Sequence, residues 1–128
     1  MLRRKVVATE KAPGAIGPYS QGNIVGDFLF ASGQLGIDPA TGELVKGIEA
    51  QTEQALKNVK AIVEAAGATM DKVIKTTCFL DDMNDFAAMN AVYAKFFTEG
   101  SYPSRSAVEV GKLPKGGLVE VEVIAYLG

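Results

Sequence analysis

Two polar residues stand out where the chain otherwise alternates like half-buried strand: Arg105 in YPSRSAVEV (102–110) and Glu120 in LVEVE (118–122). An arginine fork matches a carboxylate or phosphate with two parallel charge-assisted hydrogen bonds, and a nearby carboxylate can orient or deprotonate a water. The turn signal KLPKGG (112–117) between the two runs predicts an antiparallel pair that brings Arg105 and Glu120 within a few ladder positions. Spacing alone leaves two readings open: an anion-and-water site, or an exposed cross-strand ion pair contributing about 0–1 kcal/mol.

Other candidates are less specific. GPYSQG (17–22) offers the Tyr19 hydroxyl in a Gly/Pro-punctuated loop, and ASGQLG (31–36) places Ser32 and Gly33 at the end of a strand, where a glycine signals either a bulge or close approach of a ligand. Asn90 sits on the inward stripe of a helical segment and needs a hydrogen-bond partner. Cys78 lies in an apolar run and reads as a buried small hydrophobe. No P-loop pattern occurs.

Composition narrows the chemistry. The chain has no histidine and one cysteine, which excludes histidine-based triads and the common Cys/His zinc sites, and leaves proton transfer to carboxylates, Tyr, Lys or bound water. No metal is expected. Thirteen basic against fifteen acidic residues give a net charge of -2 and a pI near 5.1, which argues against a nucleic-acid partner and for small molecules or protein chains. MLRRKVVATEKAPG lacks the long apolar stretch of a signal peptide, and no segment reaches membrane-span length, so no membrane association and cytoplasmic residence are the expectations.

The elements that must position these residues follow from periodicity. Residues 3–9 predict a first strand, and NIVGDFLFASGQLGI predicts two strands meeting at Gly26-Asp27, with a turn at DPATGE. From Ile48 the apolar residues recur at three- and four-residue intervals to Ala66, predicting a helix closed by Gly67. KVIKTTCFL predicts a strand, residues 81–100 a second helix, and SRSAVEV and LVEVEVIAYL the last two strands. The expected fold class is α+β, with two helices on one face of a mixed sheet, as one domain over 1–128. In the last strand Val119, Val121, Val123 and Ala125 should face the helices. Glu120, Glu122, Ile124 and Tyr126 then face outward, too apolar together for open solvent, which predicts a closed homo-oligomer.

Taken together, AIGPYSQG, ASGQLGIDPATGE, QALKNVKAIVEAAG, VIKTTCFLDDMNDFAAMN and PSRSAVEVGKLPKGGLVEVE closely resemble the RidA (YjgF) family of reactive-intermediate deaminases, over about residues 6–126. The resemblance implies a chorismate-mutase-like fold with a mixed six-stranded sheet, a homotrimer with sites between subunits, and no cofactor. It implies hydrolysis of enamines and imines of the 2-aminoacrylate type to 2-keto acids and ammonia. Motif by motif, it makes Arg105 the carboxylate-binding arginine and Glu120 the glutamate that positions water; Tyr19 lines the pocket and, with bound water, is a catalytic candidate for delivering the proton to the enamine methylene carbon, Ser32 and Gly33 form the strand end against which an imino or keto acid lies, and Asn90 is near the cleft. Ala107 stands where the bacterial deaminases often have cysteine, which leaves only its backbone to contact substrate. Two alternatives from other classes are an endoribonuclease that inhibits translation and a non-enzymatic ligand-binding or chaperone-like trimer.

Overall fold

The structure is a computed structural model that describes residues 3–128. Nine strands and two α-helices follow in the order β1 (Arg4–Val7), β2 (Gly22–Val25), β3 (Phe28–Ala31), β4 (Gln34–Leu35), β5 (Ile37–Asp38), β6 (Glu43–Leu44), α1 (Ile48–Ala65), β7 (Val73–Leu80), α2 (Phe86–Tyr93), β8 (Ser104–Glu109) and β9 (Val119–Tyr126). The main sheet runs β1-β2-β3-β9-β7-β8, with β4 continuing the line of β3 along β9; β5 and β6 form a separate small hairpin. This is the expected α+β arrangement of two helices on a mixed sheet six strands wide.

Local chemistry accounts for most boundaries. Gly26 takes φ 60° between the Val25 and Phe28 pair, the left-handed backbone that a two-residue hairpin requires. Gly67, at φ 90°, ends α1 as its place after the helical stripe predicts. Leu56, Val59, Ile62 and Val63 of α1 are fully buried against Leu29, Val119, Val121 and Ala125 of the sheet. Removing one such side chain would leave a cavity and cost about 2–5 kcal/mol.

The sheet and helix predictions need three corrections. The second helix spans Phe86–Tyr93 rather than 81–100, because Asp82 Oδ1 accepts from the Asn84 backbone N–H at 2.9 Å and turns Met83–Asp85 into a 3₁₀ turn; a second such turn, Ala94–Phe96, follows. The DPATGE stretch is more than a turn, since its flanks pair as β5 and β6.

The third correction bears on chemistry. Strand β8 does not pair with β9: it lies parallel to β7 at the sheet edge, and β7 separates it from β9. The β7-α2-β8 unit is a crossover connection, which forces parallel pairing, and residues 110–118 then carry the chain past β7 to β9. Arg105 pairs with Thr76, which pairs with Val123; Glu120 pairs with Phe79, which pairs with Val108. Thr76 and Val123 are buried under the helices, so Arg105 shares their face, and Glu120, one step out of phase, lies on the opposite face.

Candidate active site

The Arg105 side of the sheet holds a cavity of about 380 Å³ lined by Asn90, Tyr93, Ala94, Tyr102, Pro103 and Arg105. Arg105 Nη1 donates to Asn90 Oδ1 at 2.6 Å, which gives the polar residue on the α2 stripe its partner. The guanidinium carbon lies 4.8 Å from the Tyr93 ring centroid and 5.3 Å from that of Phe86, within cation–π range. Tyr93 is held in turn by a 2.8 Å hydrogen bond between its hydroxyl and Thr76. A neutral amide occupies one of five guanidinium N–H donors and leaves the charge uncompensated.

Cys78 and Ala107 sit behind this grip. The pair occupies neighbouring register positions on β7 and β8, with Cys78 fully buried. Burial pushes its thiol up to about 11 despite the opposing pull of Arg105, so it stays protonated and unreactive at neutral pH. Ala107 packs against the core on the same sheet face as Arg105. The lining of the cavity does not include it.

On the other face a larger cavity, about 590 Å³, gathers Tyr19, Ser32, Gly33 and Glu120. Pro13, Ile16, Leu35, Ile37 and Pro39 give it an apolar wall, and Lys115, at φ 58°, stands at its rim. Burial, and then the charge of Glu122, raise the Glu120 carboxyl above its ordinary value; no arginine offsets them.

The strand chemistry explains how Glu120 comes to lie there. Phe30 pairs with Ile124 and Gln34 with Val121, so one strand takes an extra step at Ser32-Gly33 and bulges. A Cβ at Gly33 would lie 2.9 Å from the Glu120 carboxyl carbon, so the glycine makes room for that side chain. Of the two sequence readings of the glycine, the bulge is the one observed, and the group packed against its backbone is the Glu120 side chain. Ser32 spends its hydroxyl proton on the Ser20 carbonyl at 2.6 Å, which ties down the loop that carries Tyr19.

Apart from Ala107, which lines neither cavity, the sequence-predicted residues fall into two groups on opposite faces. Tyr19, Ser32, Gly33 and Glu120 share one cavity, Arg105 and Asn90 the other, and the predicted proximity of Arg105 to Glu120 within the chain does not hold. Reasoning along the sequence missed Phe86 and Tyr93 as the ring supports of Arg105, because their contact with it spans two elements. It also missed Lys115, whose left-handed backbone beside Gly116 carries no signature in residue type. Among the described residues no three His, Cys, Asp or Glu side chains cluster as a metal site, and no helix is long and apolar enough to cross a membrane.

Comparison with known proteins adds a family to this geometry. Residues 9–127 match the family described as Endoribonuclease L-PSP. A RutC family protein of Pyrococcus horikoshii is 59% identical over 124 residues, covering 96% of this chain and 98% of the relative. The 2-iminobutanoate/2-iminopropanoate deaminase of Salmonella typhimurium is 52% identical over 123 residues, covering 94% of this chain and 96% of the enzyme. The crystal structure of Escherichia coli TdcF with bound serine superposes with a TM-score of 0.91 at 46% identity, covering 95% of this chain and 98% of that one.

Proposed function

Because the chain belongs to the RidA/YjgF family, described as Endoribonuclease L-PSP, we propose that it is a hydrolytic deaminase of small 2-imino acids and their enamines. The observation that carries this reading is Arg105, a permanent cation at a cavity whose nearest polar partner is a neutral amide. Such a group is set up to take the carboxylate of a substrate. The deaminase name of the Salmonella relative and the serine bound to TdcF both fit a small amino-acid-like ligand.

The chemistry asks little beyond positioning. 2-Aminoacrylate gains a proton at its methylene carbon and loses one from nitrogen to become 2-iminopropanoate. Water then adds to the imine carbon, and the carbinolamine expels ammonia to leave the 2-keto acid. Arg105 holds the carboxylate, and Glu120, ionised, takes a proton from the attacking water and returns it to the departing nitrogen. Tyr19, on the same cavity as Glu120, closes the site over the reacting carbon.

These roles require both halves of the site at one substrate, and within a single chain they face opposite ways. Each substrate therefore lies between two copies, the Arg105 half of one meeting the Glu120 half of the next, in a closed homotrimer. The uncovered sheet face supports assembly: Phe28, Phe30, Val108 and Tyr126 are all more than a third exposed there.

The test generates 2-aminoacrylate with a pyridoxal-phosphate lyase acting on serine and follows its decay with purified protein. Faster decay with wild type, and not with Arg105→Ala, supports the deaminase; equal decay contradicts it. The family's description makes RNA the necessary second substrate to assay. Cleavage that vanishes in Arg105→Ala would replace the deaminase reading.

A further inference from the structure

The loop that carries Tyr19 has almost no structure of its own. Between Val7, which ends β1, and Gly22, which opens β2, the Tyr19 N–H donates to the Gly17 carbonyl at 2.9 Å, and Gly14 and Gly17 have open space where a Cβ would be. Ile16 is 83% exposed. Something outside regular secondary structure has to hold Tyr19 at the cavity.

The Ser32 hydroxyl holds one end of that loop at Ser20, and a buried amide holds the other. Gln21, 4% exposed, accepts from the Thr9 backbone N–H at 2.6 Å and donates through Nε2 to the carbonyls of Pro13 at 2.8 Å, Thr9 at 3.1 Å and Ala12 at 3.4 Å. Its own backbone carbonyl accepts from the Ser32 N–H at 2.9 Å, and the Ser20 carbonyl accepts from the Ser32 hydroxyl. The segment 9–13 is thereby clamped to residue 21, and residues 20–21 to the bulge that seats Glu120. Pro13 and Gly14 line the same cavity as Tyr19 and Glu120. Only a side chain with both an acceptor and two donors at this reach can close the clamp, which singles out glutamine among the uncharged residues.

We propose that Gln21 is a positioning residue: it fixes the 9–20 loop so that the Tyr19 ring stands over the Glu120 cavity. The proposal rests on the deaminase reading for its kinetic consequence, but its structural claim stands apart from it. Gln21→Met keeps the length and removes all four side-chain hydrogen bonds, whereas Gln21→Glu keeps the acceptor for Thr9 and turns the donor against the carbonyls.

Both variants, Tyr19→Ala, and Gln21→Met combined with Tyr19→Ala are compared with wild type in the 2-aminoacrylate assay and by amide hydrogen exchange. Gln21→Met and Gln21→Glu should each lower kcat about tenfold, and Gln21→Met should have little further effect once Tyr19 is gone. Exchange should quicken in residues 9–20 while the α1 amides stay protected. Full independent losses in the double variant, or quickened exchange across α1 as well, would reduce Gln21 to a residue of general stability and overturn the proposal. If wild type shows no deaminase activity, the functional reading fails alone, and the exchange data still decide whether Gln21 holds the loop.

Discussion

At the scale of single residues, Arg105 is the group with the most to lose. Its charge is balanced by no carboxylate side chain in the hydrogen bond that orients it, and its guanidinium lies over two rings of α2. Lysine offers a point charge and cannot donate two parallel hydrogen bonds, so Arg105→Lys should lower kcat/KM by about 10- to 100-fold, the equivalent of about 1.5–3 kcal/mol for a charged hydrogen bond. Steady-state kinetics with 2-aminoacrylate checks this. Glu120 supplies a pH signature. Its carboxyl is raised by burial and by Glu122, and a base must be ionised, so the acid limb of kcat/KM should lie above the position an unperturbed glutamate would give. Glu122→Gln removes a negative neighbour, lowers the Glu120 value, and should move that limb to lower pH. A pH–rate profile that ignores Glu122 would show that some other group governs the limb. Cys78 should stay unlabelled by thiol reagents in the native protein, as its buried, protonated state requires.

At the scale of elements, the site depends on two glycines at which a Cβ would have no room. A Cβ at Gly33 would meet the Glu120 carboxyl, so Gly33→Ala should leave folding largely intact and lower kcat by displacing that group. Gly36 is different. A Cβ there would lie 2.6 Å from the backbone of Gln51 in α1, so Gly36→Ala should cost about 1–3 kcal/mol of stability, read as a lowered denaturation midpoint. Around that contact, Asn58 of α1 donates to the carbonyls of Leu35 and Ile37, and Gln51 accepts from the Leu118 N–H, so the helix sets the apolar wall of the Glu120 cavity. Elements of this kind were legible where one periodicity governed a whole segment. Helix α1, strand β7 and the Gly26-Asp27 hairpin came out close to their predicted bounds, because burial along each is set by local pattern. Strand pairing was not legible. The order β9-β7-β8 arises from a crossover through α2, and KLPKGG reads as a hairpin turn in sequence although the chain there passes a whole strand.

At the scale of the whole molecule, that topology divides the candidate site. Polar residues in apolar runs marked Arg105, Glu120 and Asn90, and a Gly/Pro loop marked Tyr19, but the face each occupies depends on a register that only the assembled sheet defines. With Arg105 on the helix side and Glu120 on the open side, the account predicts a shared site between copies, and mixing of two damaged chains tests it directly. Arg105→Ala and Glu120→Gln should each be inactive alone. Co-expressed in equal amounts and assembled at random into closed trimers, they should regain about a quarter of the wild-type activity, because only a sound Arg105 half beside a sound Glu120 half makes a working site. Mixed trimers, verified by a tag on one chain, that remain as inactive as either parent would contradict the account.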